Sequence, residues 1–439
     1  MRVVVVGAGL AGLNAATILR AHGVDVVVVE GGNRVGGRTR TVHAPFVDGQ
    51  YSESGAEWVD DHHRRMHALM ERYGLRPLGA GERWMSIRRW LHHGGRMLDP
   101  EAVRLMSPSI DDEFERFDAM VADATRGIVD PAAPQLHAEA TRLDSLSLAD
   151  VAAQAELGEL AALFKRRESQ GEFAAEQRQV SLLFVAQQRA YERDATDEEV
   201  MAARRVEGGV SQIAEGLATE LGGIICFDEL LTGVAQDADG VTVHTSLRTL
   251  HADHVVLACS LVPLRSVDFH DALPPLLSRA VQELGYGTVT KTSVQWSARQ
   301  WPAGYATTER RVQRVYDPTA AQPGEAGILM AYCGGDGGHE WATLTEPERL
   351  ALAADEMRVM HQLTADSLGG FSRAWSTEPR YGGSYAVYEP GQVTEFWDVL
   401  RQPWGRVHLC GEHVATCTGY MEGALESGET VAHRLVDAG

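Results

Sequence analysis

At 439 residues the chain is long enough for two or more domains with an ample core. Its 61 Asp and Glu against 40 Lys and Arg leave a net charge of −21, which excludes nucleic acid and an anionic membrane as main partners. The five cysteines, Cys226, Cys259, Cys333, Cys410 and Cys417, contain no CxxC pair, and their odd number excludes a full disulfide framework; reduced thiols in a cytoplasm are expected.

The first strand is read at Val3–Val6, a run of β-branched residues suited to a buried parallel strand. Gly7-Ala8-Gly9-Leu10-Ala11-Gly12 follows with the spacing G-x-G-x-x-G. A helix is expected over Leu13 to His22, then a stop at Gly23 and a second strand over Val24 to Val29 closed by Glu30. Gly7 allows the tight turn, Gly9 lets the backbone approach a pyrophosphate, and Gly12 lets helix pack close to strand. The helix N-terminus offers free N–H groups to phosphates, and Glu30 can accept from ribose hydroxyls. Because the strand starts so near Met1, no removable leader is expected. No other stretch of about 20 apolar residues predicts a spanning helix.

Gly31 to Arg38 form a second glycine–arginine loop directly after Glu30. Gly36 and Gly37 permit a close approach, and Arg38 can offer its guanidinium to a phosphate. A nicotinamide enzyme rarely needs such a loop, whereas a flavin enzyme passes its chain beside the ribityl and phosphate groups there. Together with a strand ending in Gly411-Glu412 and the glycine-rich start of the last helix, these motifs resemble the FAD-binding amine oxidase family, the monoamine and polyamine oxidase group.

Further along, Thr39 to Val42 and Phe46-Val47 read as short strands around Pro45, leading into Gly55-Ala56-Glu57-Trp58-Val59-Asp60. The resemblance runs this stretch along the flavin, so Glu57 and Asp60 put carboxylates near the substrate. Asp60 matches an acidic position of some polyamine-oxidising relatives, and Asp60-Asp61 could equally cap a helix starting near His62. Amino-acid oxidases of the family carry an Arg in place of Trp58, and its absence counts against a simple α-amino acid substrate. His63 and His67 stand four apart on one helical face, but the sequence places no third ligand beside them, so no metal site is expected.

Glycine becomes scarce between about Pro100 and Val206, which predicts a helical insertion. Phe184, Gln187, Gln188 and Tyr191 either line the substrate channel or pack the core. The acidic run from Arg193 to Glu199 reads as a solvated loop. After Gly208-Gly209 a helix is expected over Ser211 to Leu221, followed by strands over Ile224 to Phe227, Leu230 to Ala235, Val241 to His244 and His254 to Cys259. The resemblance assigns the adenine to the backbone of Val234. Lys291 interrupts an alternating Thr/Val strand, where an ammonium needs partners. By resemblance Lys291 holds a water that touches flavin N5. Gly334 to Gly338 read as a flexible loop.

In the last quarter, Ser384 stands where covalent relatives bear a Cys, so FAD should be held non-covalently. Tyr385 and Tyr420 match the two walls of an aromatic cage that positions a neutral amine. Glu412 would contact the ribityl or phosphate region. The helix opened by Gly419-Tyr420-Met421 would aim N–H groups at flavin N1 and O2.

The expected fold is therefore α/β, with a discontinuous Rossmann-like FAD domain over residues 1–80, 205–280 and 376–439. A mixed-sheet substrate domain takes residues 81–204 and 281–375, with the helical insertion at 100–204. The chemistry implied is hydride transfer from the carbon beside an amine or amide nitrogen to flavin N5, giving an imine, with O2 reoxidising the flavin to yield H2O2. An alternative is an oxidative cyclase or desaturase working through an iminium. A homodimer is allowed and neither nucleic acid nor membrane is expected as a partner.

Overall fold

The structure, a computed structural model, describes residues 1–79, 87–194 and 203–438. Its organising layer is a five-stranded parallel sheet ordered Val407–Leu409, His254–Leu257, Arg2–Val6, Asp25–Val29 and Ile225–Cys226. The valines of the first strand are buried because both faces of a parallel sheet are covered. The first helix spans Leu10–Ala21, three residues ahead of the expected start, with extended Gly9 as its cap. A Cβ on Gly12 would collide with the carbonyl of Gly7, and one on Gly428 with that of Ala11. Glycine at both positions lets the first helix and the last, Met421–Ala438, settle closely on the sheet and on each other. Leu13, Ile213, Leu217, Leu425 and Val431 fill the core they share.

A second, seven-stranded sheet is ordered Ser367–Ala374, Val289–Trp296, Gly327–Gly334, Arg314–Tyr316, Tyr305–Thr308, Arg89–His93 and Arg96–Leu98. Val289–Trp296 is antiparallel to both neighbours and buried at all eight residues. Lys291 therefore lies on an interior strand, not at an edge. A four-stranded sheet is built around Leu231–Gln236 and Val241–Thr245.

The glycine-poor stretch is helical, as its composition predicts, with Ile110–Arg126, Glu159–Glu172 and Leu182–Tyr191 its longest helices. Phe184 packs into the core with Phe117 and Val121. Gln187 donates to the carbonyls of Pro131 and Thr416. Phe184 and Gln187 are thus packing residues, and Arg189 of the same helix is the one that reaches the central cavity. Most of the acidic run from Arg193 to Glu199 lies outside the described residues.

Two expectations change. Phe46-Val47 is no strand; Val47 N–H instead donates to the Gln295 side chain at 2.9 Å. The Gly334 to Gly338 run is not a flexible loop, because a helix spans Gly335–Ala342. A Cβ on Gly338 would strike the Thr288 carbonyl, so glycine lets this helix lie against the buried strand, and close packing outweighs glycine's poor helix propensity. Among the described residues no helix is long and apolar enough to cross a membrane.

Candidate active site

One cavity of about 1140 Å³ runs from the first glycine loop to the helical insertion. Gly7, Gly9, Glu30, Gly36, Gly37, Arg38, Gly411, Glu412 and Met421 line it together with Glu57, Asp60, Lys291, Tyr385 and Tyr420. The topology thus brings together nearly every residue that the sequence singles out. Gly12 stands outside the lining, where its part is the close packing described above.

At the dinucleotide end, Gly7 has φ +107°, and Gly36 N–H donates to the Ala8 carbonyl at 2.8 Å, joining the two glycine loops. Glu30 accepts from Ala8 N–H at 2.8 Å through one carboxylate oxygen and from Gly32 N–H at 2.7 Å through the other. It therefore clamps both loops while facing the cavity. Arg38 Nη1 lies 2.8 Å from Glu412 Oε1, and Glu412 also accepts from Gly419 N–H at 3.1 Å. Space beyond the Gly9 Cα is open, and no side chain caps the helix that follows. A helix start free of side chains, a nearby guanidinium and a carboxylate at the end of the second strand fit an FAD pyrophosphate and ribose. Each Glu30 bond is charge-assisted, so Glu30→Ala should weaken FAD binding by roughly 10- to 100-fold. FAD retained after ultrafiltration measures this, and unchanged retention would contradict it.

The expectation for Val234 needs correction. Val234 is fully buried, its carbonyl accepts from His270 N–H at 3.1 Å, and it pairs with Val243 and Phe269. Glu229, Leu230, Leu231 and Thr232 line the cavity instead. Sheet pairing holds Val234 in the core and leaves the strand's start at the cavity.

At the other end, Lys291 Nζ donates to the Gly55 carbonyl at 2.8 Å and to Glu57 Oε2 at 3.0 Å. Glu57 also accepts from Arg205 Nε at 2.7 Å and from the Tyr316 hydroxyl at 2.6 Å. Burial alone would raise the Glu57 carboxyl, but the charges of Lys291 and Arg205 and the Tyr316 hydroxyl hold it down to about 2. Glu57 is thus no open carboxylate awaiting a substrate. It fixes Lys291, and Arg205 and Tyr316 complete a network that sequence reading missed.

Tyr385 lies against Gly419, and its hydroxyl donates to the Gly171 carbonyl at 2.8 Å and sits 2.9 Å from that of Tyr332. The Tyr420 ring centroid is 5.4 Å from that of His63. Asp60 does not cap the following helix, Arg64–Arg72, whose cap is His63. Instead Asp60 N–H donates to His63 Nδ1 at 3.1 Å, and Asp60 Oδ2 lies 3.3 Å from His63 Nε2. His67 Nε2 lies 3.0 Å from the Asp60 carbonyl, so His63 and His67 both serve this turn.

The fold adds a grouping that the sequence did not place, with ligand-type atoms of Asp60, His62 and His63 within 4.8 Å of one another. Because His63 Nδ1 accepts a hydrogen bond, the neutral ring carries its proton on Nε2 and has no free lone pair to give a metal.

Burial, with Glu192, Asp61 and Glu172 nearby, pushes the Asp60 carboxyl up to about 7 from its ordinary 3.8. Between about pH 4 and 7 the folded protein therefore holds a proton that the unfolded chain has lost, and stability falls as pH rises through that window. Asp60→Asn should flatten that fall. Melting temperatures across the window test this, and parallel curves for the two proteins would refute it.

Comparison with known proteins agrees with the geometry. The family profile described as flavin containing amine oxidoreductase matches residues 10–436. An L-amino acid dehydrogenase of Synechocystis sp. is 27% identical, covering 99% of this chain and 94% of its own. Amine oxidase [flavin-containing] B of Homo sapiens is 28% identical, covering 99% of this chain and 86% of its own. Among solved structures, cyclohexylamine oxidase from Brevibacterium oxydans superposes with a TM-score of 0.87 at 22% identity, covering 100% of this chain and 99% of that one. A wild-type putrescine oxidase bound to putrescine gives 0.87 at 23%, with the same coverage. The mixed α/β fold is that of these oxidases. The chain belongs to the flavin-containing amine oxidoreductase family and is an oxidoreductase that uses FAD.

Proposed function

We propose that the protein oxidises the carbon–nitrogen bond of a small amine to an imine, with O2 as the final acceptor and H2O2 as product. The observation that carries this reading is the single cavity joining the dinucleotide cradle to Lys291, Tyr385 and Tyr420. FAD, when bound, supplies a two-electron acceptor that O2 can reoxidise. The chain supplies placement and charge. Tyr385 and Tyr420 present aromatic faces that orient a neutral amine and favour positive charge developing on its nitrogen. Lys291, locked by Glu57 and Gly55, keeps a cation fixed in the cavity wall, where a preorganised charge costs no reorganisation during reaction. The buried walls exclude water and strengthen these interactions.

The cofactor half is assigned to residues 1–80, 205–280 and 376–439, and the substrate half to 81–204 and 281–375. Ser384 lines the cavity and cannot form a thioether, which supports non-covalent FAD. Five free thiols support a reducing, cytoplasmic setting. The four relatives named above act, by their names, on amines or amino acids, which supports simple oxidation over cyclisation.

An oxygen electrode with a peroxide assay tests the reading across monoamines, diamines and amino acids. Matched O2 uptake and peroxide release with one class is expected. No uptake with any of them would overturn it.

A further inference from the structure

Arg314 begins the strand Arg314–Tyr316 and lines the cavity. Its guanidinium lies 5.7 Å from the Tyr332 ring centroid and 5.9 Å from that of Tyr305. A Cβ on Gly171 would collide with its tip, so glycine at 171 makes the room it occupies. The Gly171 carbonyl also receives the Tyr332 and Tyr385 hydroxyls, at 3.1 and 2.8 Å. The guanidinium and the Tyr385 hydroxyl thus flank one residue.

Lys165 is paired with Asp118 and Glu168, and Arg189 with Glu172 and Glu192. Arg314 forms no ion pair with any described residue, and its side-chain hydrogen bond runs to the Glu168 backbone carbonyl at 3.2 Å. The lining also carries the guanidiniums of Arg38, Arg380, Arg89 and Arg167, of which the last two feel the charge of Arg314. Arg167 spends its N–H groups on the Thr308 carbonyl at 2.9 Å and the Gln170 side chain at 2.6 Å. Burial lowers both from their ordinary value, Arg166 lowers Arg167 further, and Arg314 lowers both, which Glu168 beside Arg89 and Glu176 beside Arg167 offset only in part. Like charges gathered in a desolvated wall are costly, and an anion among them relieves the cost.

The geometry points to Arg314 as a carboxylate-binding residue of the substrate cavity, so that the amine oxidised here carries a carboxylate and is an amino acid. The proposal rests on the amine-oxidation reading and adds a substrate class to it. A guanidinium fork matches a carboxylate in two parallel hydrogen bonds. The Arg that Trp58 replaces is then supplied from a strand far along the chain. Asp60 is a cavity carboxylate with His63 beside it and Asp61, Glu172 and Glu192 nearby, and a dicationic substrate reaching this acidic group is the competing outcome.

The test uses the FAD-loaded protein and two readouts. Benzoate, a simple carboxylate probe, is titrated while the flavin absorbance is followed. A saturable change is expected in the natural protein, weakened roughly 100-fold in Arg314→Met and less in Arg314→Lys, which keeps the charge but loses the fork. In parallel, α-amino acids, ω-amino acids, the matching decarboxylated amines and diamines are mixed anaerobically with each protein. Bleaching by α- or ω-amino acids, with half-saturation raised in Arg314→Met and amines unaffected, supports the assignment and tells the two carboxylate positions apart. Bleaching by amines or diamines alone overturns the carboxylate site and leaves amine oxidation standing. No bleaching by anything removes the parent reading, while the benzoate titration still decides whether the carboxylate site exists. Equal benzoate binding by both variants and the natural protein overturns it.

Discussion

Glu57→Ala is expected to cost about 3–5 kcal/mol of folding stability, the largest loss of any single change near the cavity. Glu57 is buried and joins Lys291, Arg205 and the Tyr316 hydroxyl within 3.0 Å. Without it, two cations share a desolvated space with no carboxylate between them, and Lys291 keeps only backbone carbonyls. Its pH signature has a definite sign. The folded carboxyl titrates near 2 against an ordinary 4.5, so its stabilisation is complete above about pH 4.5 and is lost as pH falls toward 2. Urea unfolding of the natural protein and the variant at neutral pH measures the difference. A loss under about 1 kcal/mol would show that Glu57 does not hold the two cations together.

Lys291→Met is expected to leave the fold in place and to slow turnover by roughly 100-fold, the scale seen when one preorganised electrostatic group is removed. Methionine has a similar reach, and the carboxylate of Glu57 keeps Arg205 and Tyr316. The loss belongs to chemistry because Lys291 Nζ is fixed at the cavity wall by Gly55 and Glu57. Stopped-flow traces separate flavin reduction by substrate from reaction of the reduced protein with O2. Unchanged rates in both halves would remove the role assigned to Lys291.

How much of this could be read from the sequence follows from the range of the interactions. The first strand, glycine loop and helix start are set by residues within about ten positions, and they are where the sequence puts them apart from the earlier start of the first helix. Glu30 closes the second strand as read, but its clamp on Ala8 and Gly32 needed coordinates. The Lys291 network joins residues separated by 148, 234 and 259 positions, and no local pattern announces such pairs. Sequence alone therefore places the Glu57 carboxylate near the substrate and not in an ion-pair network. Val234 lies deeper in its strand than the residues that line the cavity, Leu231 and Thr232 at the strand's start. The Gly335–Ala342 helix was hidden because its glycines serve packing against the buried strand, which overrides their propensity. Arg314 sits in a stretch with no motif, and only the fold places it beside Gly171, Tyr332 and Tyr385.

The central claim is that this cavity holds FAD and passes electrons to it from an amine. The most direct measurement is the visible spectrum of the purified protein during anaerobic mixing with amines and amino acids, followed by admission of air. The account predicts a yellow protein bleached by one substrate class and restored by air with peroxide formed. A colourless protein that does not take up added FAD, or a yellow one that no amine or amino acid bleaches, would contradict it.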